Sequence, residues 1–587
     1  MFRLRSFPNK LNFPKTMINL PVAKIFYEIS EYLAMDEVAF KPQAFEKAAR
    51  VLEELSEDAA EIYERGGIKE LKEIPGIGES LAEKIEEYIK TGKIKYHAKL
   101  KKKCPVDLEH LTAVEGVGPK SIKVLYEKLG VKNLADLEKA AKEGEIEKLP
   151  RFGKKIQENI LRGIEFVKGG QGRMLLGFAL PLARKIEKRL RELPGVSEAA
   201  LAGSLRRRKE TIGDFDFLAV SKDKERVMDY FCSMIEVEKI IAKGETRSSV
   251  RLHLGLDADL RVVESESFGS ALQYFTGSKD HNIKTRQIAQ DKKLKLNEYG
   301  VFRGQKRIAG KTEKEVYAAL SMEYIEPEMR ENRGEIELSL AGKLPNLVEL
   351  KDIKGDLQMH STWSDGAYTI KEMAQAAQKL GHEYIAITDH AGSLHIAHAL
   401  SPSDIKKQWQ EIDKLNKTLK GIKILKGIEV DLDDQGQPEL PEEILAKFDL
   451  VLGSIHSKLR MSKIDITKRL VVAAKNPLIN ILAHPTGRLI GRREEMAMDL
   501  DEILKAAAEN GTVMEINAYP ERLDLNDQNI KKAIEAGVLL SIGTDAHSVG
   551  QLEYFELGVF EARRGWAEKK NIINTKSYKE LMEFLKK

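Results

Sequence analysis

Six short apolar runs recur through the second half of this chain, at 384–388, 422–428, 450–453, 478–482, 513–516 and 539–542, with helix-length stretches between them. Strands that are apolar throughout suit burial on both faces, which requires a parallel sheet covered by helices. A parallel α/β barrel or sheet is therefore predicted for this half. The run ends are polar in a repeated way: Asp356-Leu357-Gln358-Met359-His360, Thr388-Asp389-His390, Gly427-Ile428-Glu429, Ser454-Ile455-His456, Ala483-His484-Pro485 and Thr544-Asp545-Ala546-His547. In a parallel barrel such ends line one mouth, where functional groups collect.

Eight of the 12 histidines lie between 360 and 547. A single histidine after a strand is ordinarily a packing or capping residue. Here His360, His390, His456, His484 and His547 all follow apolar runs, with Glu429 and Asp545 in equivalent places. Imidazole with carboxylate selects Zn²⁺, Mn²⁺ or Fe over Mg²⁺. Gathered at one mouth, these groups predict a centre for more than one ion that clamps a phosphate, hence a metal-dependent phosphoesterase. His97, His110, His253 and His382 lack such a context and are read as surface or packing residues. His395 and His398, in a loop after His390, either touch substrate or belong to the loop surface.

Nearer the front, Gly203-Ser204-Leu205-Arg206-Arg207 precedes Gly213-Asp214-Phe215-Asp216. Residues i and i+2 of a strand share a face, so Asp214 and Asp216 present paired carboxylates. A D-x-D pair alone is commonly a solvated edge. Phe215, Phe217, Leu218, Ala219 and Val220 instead make this a buried strand, where unpaired carboxylates are costly. A second apolar run adds Asp259, and three such acids can cradle two Mg²⁺ ions roughly 3.5–4 Å apart. Asp257 would share that face only if its strand began early; Gly255 points to a turn, so Asp257 is read as surface. The glycine turn and Arg207 offer donors to phosphates. The chemistry indicated is metal-assisted nucleotidyl transfer.

The first part of the chain is helical and repeats one element three times. Ile74-Pro75-Gly76-Ile77-Gly78, Val114-Glu115-Gly116-Val117-Gly118 and Leu149-Pro150-Arg151-Phe152-Gly153 each open a helix. One such turn is plain turn chemistry. Repetition, with lysines opening the second and third helices, points to free helix N–H groups gripping a nucleic-acid backbone without reading its sequence. Charge agrees: residues before Asn346 carry 63 Lys+Arg against 55 Asp+Glu, and the remainder 33 against 37. A basic front suits phosphates and an acidic rear suits cations. At 587 residues, 32% of them charged, a soluble chain of roughly three to five domains is expected. Two cysteines, Cys104 and Cys232, give no disulfide framework, no apolar run reaches membrane-spanning length and no signal peptide is seen, so a cytoplasmic protein is expected.

Together these residues resemble the bacterial family X DNA polymerases: a polymerase-beta-like core fused to a C-terminal polymerase and histidinol phosphatase (PHP) domain. The resemblance runs from about residue 17 and is sharpened by Tyr274-Phe275-Thr276-Gly277-Ser278 with Asn282 and Arg286 behind it. It implies that Ser204, Arg207 and Gly213 hold the triphosphate, and that Asp214, Asp216 and Asp259 hold Mg²⁺. Tyr274 and Phe275 would pack against the incoming sugar and discriminate against the ribose 2′-OH, Gly277 would belong to the nucleotide site, Asn282 would touch the nascent base pair and Arg286 the template. Lys279 stands where the animal enzyme has an acid. Lys84 looks like the counterpart of the family's Schiff-base lysine, with Phe45 in place of a tyrosine; by itself the sequence makes Lys84 a solvated helix lysine. Gly76, Gly78, Gly116, Gly118 and Gly153 would face the DNA backbone. For the rear domain the resemblance implies a distorted (β/α)₇ barrel holding two to three Mn²⁺ or Zn²⁺ ions. Its ligand positions are Gln358, His360, Asp365, His390, Glu429, His456, His484, Asp545 and His547, with Gln358 replacing the usual histidine.

The implied organisation is a 1–16 arm or start-site extension, a 17–95 lyase-like domain, and a 96–170 fingers-like helical domain. A 171–264 palm, a 265–340 thumb-like domain, a 341–352 linker and the 353–587 PHP domain follow. Residues 326–350, acidic and without period, read as a linker or domain edge. The implied function is gap-filling repair synthesis by a monomer acting on gapped or primed duplex DNA with deoxynucleoside triphosphates, plus a 3′–5′ exonuclease. Cleavage at abasic sites and removal of 3′-phosphates are left open. The alternatives are a small-metabolite phosphatase with a DNA-tethering front half and a non-enzymatic DNA-binding scaffold.

Overall fold

The computed structural model describes residues 18–36, 38, 40–55, 57–112, 114, 117–150, 152–170, 172–392 and 399–586. The N-terminal arm, Gly116, His395 and His398 lie outside the described residues. The chain divides into two compact units, Met1–Gln171 and Gly172–Lys587.

The first unit is helical. Helices Asn19–Met35, Lys41–Glu54, Ala59–Gly66 and Glu79–Thr91 bury one apolar face each around Phe26, Leu52, Leu71 and Ile85. A second cluster gathers Leu111, Leu125, Leu137 and Ile160 from helices Leu108–Thr112, Pro119–Leu129, Leu134–Lys142 and Lys154–Gly170. The three repeated turns share one hydrogen bond: Ile77, Val117 and Phe152 donate their N–H groups to the carbonyls of Ile74, Val114 and Leu149, each at 3.0 Å. Gly78 and Gly118 cap their helices with nearly the same dihedrals, φ −78°, ψ 173° and φ −81°, ψ 174°.

In the second unit a five-stranded sheet runs in the order Val196–Leu201, Asp214–Ser221, Asp257–Val263, Arg247–Leu252, Val237–Lys243. Its two acid-bearing strands are parallel neighbours, with Asp214 opposite Asp257 and Asp216 opposite Asp259. The strand thus begins at Asp257, earlier than Gly255 suggested. Asp257 is nevertheless occupied elsewhere, by Arg251 at 2.5 Å. Helices Phe268–Thr276 and Lys279–Asp291, a three-stranded antiparallel sheet and helix Glu313–Ala319 follow.

Residues 326–340 are not a linker. They form a short 3₁₀ turn, Pro327–Met329, and the helix Glu335–Leu340, with Arg330 and Glu335 fully buried. The stretch lacks apolar period because ionic groups are buried beside Met329 and Ile336. Arg330 pairs with Glu313 at 2.6 Å, and Glu335 with His281 at 2.8 Å. Such pairing is what lets charges leave water.

The rear half is a nearly closed parallel barrel of seven strands in sequential order: Gly355–Asp356, Tyr384–Ile387, Lys423–Asp431, Leu450–Ser454, Ile481–Leu482, Val513–Asn517 and Leu540–Gly543. A parallel bridge between Met359 and Ala546 draws the first and last strands together. The fifth strand is shorter than the 478–482 run because the Asn476 and Asn480 side chains take the N–H groups of Leu478 and Val451. The third runs on to Asp431. Leu523, Leu557 and Phe560 leave the barrel to join the core of the five-stranded sheet, so one apolar cluster spans both.

Candidate active sites

The first site forms where the acid-bearing strands meet the Gly203–Arg206 turn. Gly203 has φ 58°, and a methyl there would collide with the Asp216 carboxylate, so glycine is required for the acid to sit against the turn. Burial, with Asp214 and Asp259 beside it, pushes the Asp216 carboxyl up to about 7. Carboxylates so placed bind a proton or a cation, because like charges in a poorly solvated place repel. Asp259 accepts from Arg247 at 2.9 Å and from the Ser249 hydroxyl. A 460 Å³ cavity opens beside them, lined by Ser204, Arg207, Tyr274, Phe275, Gly277 and Arg286 among others. The Ser204 hydroxyl is buried without a partner, as suits a group reserved for a ligand oxygen.

The cavity walls are braced from behind. Arg206 donates to Thr276 Oγ1 at 2.6 Å and to Glu313 at 2.8 Å, and Arg330 holds the same carboxylate. Burial opposes ionisation of Glu313, but Arg330 and Arg206 bring it down to about 2. Arg207 Nε reaches Glu331 at 3.1 Å and Nη1 bonds the Thr276 carbonyl. Tyr274 and Phe275 pack edge to face at 5.0 Å, with Arg286 5.8 Å over Tyr274. Asn282 lines the cavity with both amide ends engaged, by Tyr274 O at 2.6 Å and Gln273 at 2.9 Å. Gly213 lies against Arg173, a cavity residue that the sequence reading did not single out. None of the bracing acids was expected, since their partners lie tens of residues away without a local pattern.

The second site fills the barrel mouth and centres on buried Glu429. His484 Nε2 lies 3.0 Å and His456 Nε2 3.4 Å from one carboxylate oxygen. From the other, His360 Nε2 is 3.4 Å and His390 Nδ1 3.5 Å. Asp545 meets His360 at 3.1 Å, and Asp365 meets His547 at 3.4 Å. His360 stacks between His390 and His547 at 4.4 and 4.3 Å. All nine expected positions are brought together; the Gln358 side chain makes one hydrogen bond, Nε2 to Glu429 at 3.2 Å. Its amide oxygen is buried and unpartnered, as are Nδ1 of His360 and of His484. Three overlapping groups offer ligand atoms within 4.8 Å of one another: His360, Asp365, His390 and His547; His390, Glu429 and His456; His360, Glu429 and Asp545. This donor set fits more than one transition-metal ion.

Electrostatics at the mouth agree. Burial opposes charge on His360 and His456, yet Asp545 beside the first and Asp431 and Glu429 beside the second raise them to about 10 and about 9. Burial also opposes ionisation of Glu429, but His390, His456 and His484 hold it well below the usual carboxylate range. Incoming cations would displace the imidazole protons, which couples their binding to pH. An outer layer, missed in the sequence, orients the ligands. Asp431 bonds His456 Nδ1 at 2.6 Å, Asn517 bonds Asp545 at 3.2 Å, and Asp389 fixes the loop by holding Ser361 and Ser364.

Lys84 in the first unit is half-buried and lies 5.8 and 5.6 Å from the rings of Phe45 and Tyr96. Burial lowers it from the usual lysine range. Methyl groups at Gly78, Gly118 and Gly153 would meet nothing, so packing within the chain does not explain those glycines.

Comparison with known proteins follows the same divisions. Residues 17–94 match the helix-hairpin-helix domain, 108–165 the SAM-like helix-hairpin-helix tandem, 271–331 the DNA polymerase beta thumb and 356–519 the PHP domain. The chain is 38% identical to the DNA polymerase/3′-5′ exonuclease PolX of Bacillus subtilis (strain 168) over 572 residues, 96% of this chain and 99% of that one. It belongs to the bacterial family X DNA polymerases. As a family X polymerase it joins DNA synthesis and 3′–5′ exonuclease activity on one chain, depends on metal ions, and works on DNA and nucleotides. The chain is also 31% identical to a probable phosphatase of Thermoanaerobacter sp. (strain X514) over 246 residues, 39% of this chain and 94% of that protein. A probable phosphatase of Proteus mirabilis (strain HI4320) is 26% identical over 242 residues, 39% and 93% of the two chains. No helix among the described residues of this family X polymerase is long and apolar enough to cross a membrane.

Proposed function

We propose that this polymerase fills short gaps during DNA repair, as a cytoplasmic monomer, and trims 3′ ends at its PHP centre. The observation that carries the synthetic reading is the parallel register of Asp216 against Asp259, with Asp214 two residues away, beside a cavity holding the unpartnered Ser204 hydroxyl. Asp214, Asp216 and Asp259 would hold Mg²⁺, which when bound neutralises charge developing on the transferred phosphate. Ser204, Arg207 and Gly213 face the triphosphate, and the turn places backbone N–H groups beside it. Tyr274 and Phe275 form a wall against the sugar, with Gly277, Asn282 and Arg286 completing the nucleotide side. Arg206 and Glu313 keep that wall fixed relative to the turn. Gly76, Gly78, Gly118 and Gly153, with Gly116, would meet the DNA backbone.

At the barrel mouth His360, Asp365, His390, Glu429, His456, His484, Asp545 and His547, with Gln358, would hold two to three Mn²⁺ or Zn²⁺ ions. Bound there, the ions polarise a phosphodiester. Asp431 orients the His456 ring through Nδ1, and Arg522, 3.5 Å from Asp545, places a cation at the edge of the cluster. Lys84, with its lowered affinity for a proton and its aromatic neighbours, is assigned the lyase step, in which a neutral amine is the required form. The functional division is 17–95, 96–170, 171–264, 265–340 and 353–587, joined by 341–352.

A 5′-labelled gapped duplex incubated with Mg²⁺ or Mn²⁺, with and without nucleotides, tests this reading. Asp216→Ala should abolish extension and leave shortening; His456→Ala should do the reverse. A parallel abasic duplex reports cleavage. Extension by Asp216→Ala at the unaltered rate would overturn the assignment, and phosphate release from a small phosphomonoester with no extension would favour a metabolite phosphatase.

A further inference from the structure

The barrel helix Phe555–Arg564 lies against the turn that carries the nucleotide-site residues, and its last residue is 1% exposed. Arg564 Nη1 donates to the backbone carbonyl of Arg207 at 2.7 Å and lies 3.3 Å from Glu331. Glu331 in turn accepts from Arg207 Nε at 3.1 Å. Arg207 is therefore gripped at its main chain and at its guanidinium through one Arg564–Glu331 pair, its arginine buried. The other side of the Arg564 fork bonds Asp527, itself held by Arg333 at 3.0 Å. Two more contacts reach the same turn. Arg208, at φ 56°, lays its guanidinium 4.5 Å over the Phe560 ring of the same helix, and Glu210 pairs with Arg488.

We propose that Arg564, a residue of the exonuclease domain, is a positioning residue for the polymerase: it fixes Arg207 and the Gly203–Arg206 turn in nucleotide-binding geometry. The inference rests on the assignment of that turn as the nucleotide site. A guanidinium suits the task because its planar fork serves Asp527, Glu331 and a carbonyl at once, whereas an ammonium is a single point of charge. Arg564 is absent from the metal cluster, so its loss acts on synthesis and spares trimming. The polymerase turn thus takes part of its shape from a domain that does different chemistry.

The test uses the full-length chain with Arg564→Met and Arg564→Lys. Primer extension is measured over a range of nucleotide concentrations, and shortening of the same primer with Mn²⁺ and no nucleotide. For Arg564→Met, the nucleotide KM should rise by on the order of ten-fold, as for a displaced positioning group, with kcat within about two-fold. Shortening should match the unaltered chain, and Arg564→Lys should recover part of the KM. An unchanged KM in both variants would overturn the proposal. So would parallel loss of extension and shortening, which would make Arg564 merely structural. Absence of extension by the unaltered chain would instead refute the site assignment beneath it, and shows before any variant is made.

Discussion

Asp216 illustrates what a single residue at a metal site costs the fold. Its carboxyl is raised from 3.8 to about 7, so between those values the folded chain binds a proton that the unfolded chain has released. Stability contributed by this group is therefore present at low pH and lost as pH rises toward 7 and above. Asp216→Asn removes the penalty. In chelator, the variant should melt a few degrees above the unaltered chain at about pH 8, and the gap should shrink to less than half at about pH 5. Added Mg²⁺ should stabilise only the unaltered chain, and the variant should not polymerise. Melting curves at the two pH values decide it; an unaltered chain that gains stability relative to Asp216→Asn on raising the pH would contradict the geometry. The acids themselves were legible, because D-x-D in an apolar strand is a local pattern. Glu313, Glu331 and Asp431 were not, because their role is set by which distant cation or imidazole they meet.

At the scale of elements, the helix-hairpin-helix turns separate two uses of glycine. Gly203 is demanded by its own neighbour, Asp216, and by a positive φ. Gly118 has an ordinary φ of −81° and open space where a side chain would stand. Serine is a good helix cap, so Gly118→Ser should leave the melting temperature unchanged or slightly raised, within about 0.5 kcal/mol. It should still weaken binding to duplex DNA, since the added side chain would occupy the space left for a phosphate backbone. Fluorescence anisotropy with labelled DNA, beside a melting curve, checks both halves; full affinity would remove the functional reason for the glycine. The third turn, with Arg151 in place of the first glycine, has the same Phe152–Leu149 hydrogen bond as the other two. Spacing was thus a better guide to this element than glycine content.

For the molecule as a whole, palm, thumb and barrel form one compact unit, Gly172–Lys587, and not a polymerase with a detachable exonuclease. Leu523, Leu557 and Phe560 complete the palm core, Arg184 forms a two-pronged pair with Glu556 at 2.7 Å, and Trp566 packs against the thumb cluster. Burying such a side chain contributes roughly 2 kcal/mol. A chain ended after residue 352 should therefore be destabilised by on the order of 5 kcal/mol and aggregate on warming. The full-length chain with His456→Ala should stay folded and polymerise. A truncated chain with an unchanged melting temperature would refute this dependence.

The sequence by itself determined the two kinds of metal chemistry and the barrel. Strand period, strand-end histidines and D-x-D are local, and locality survives without coordinates. The resemblance it carries also named nine positions at the barrel mouth, eight with the family's usual residue types and Gln358 as the exception. Only the tertiary structure decided that residues 326–340 are a buried ionic brace, that Asp257 belongs to Arg251, and that Arg564 reaches the Arg207 carbonyl across the palm–barrel boundary. The part-exposed Asp257–Arg251 pair follows from strand register, since the two residues face each other on neighbouring strands. The other two share a physical reason: a buried charge is tolerated only through partners, and partners 17 to 357 residues apart leave no period for a sequence to show.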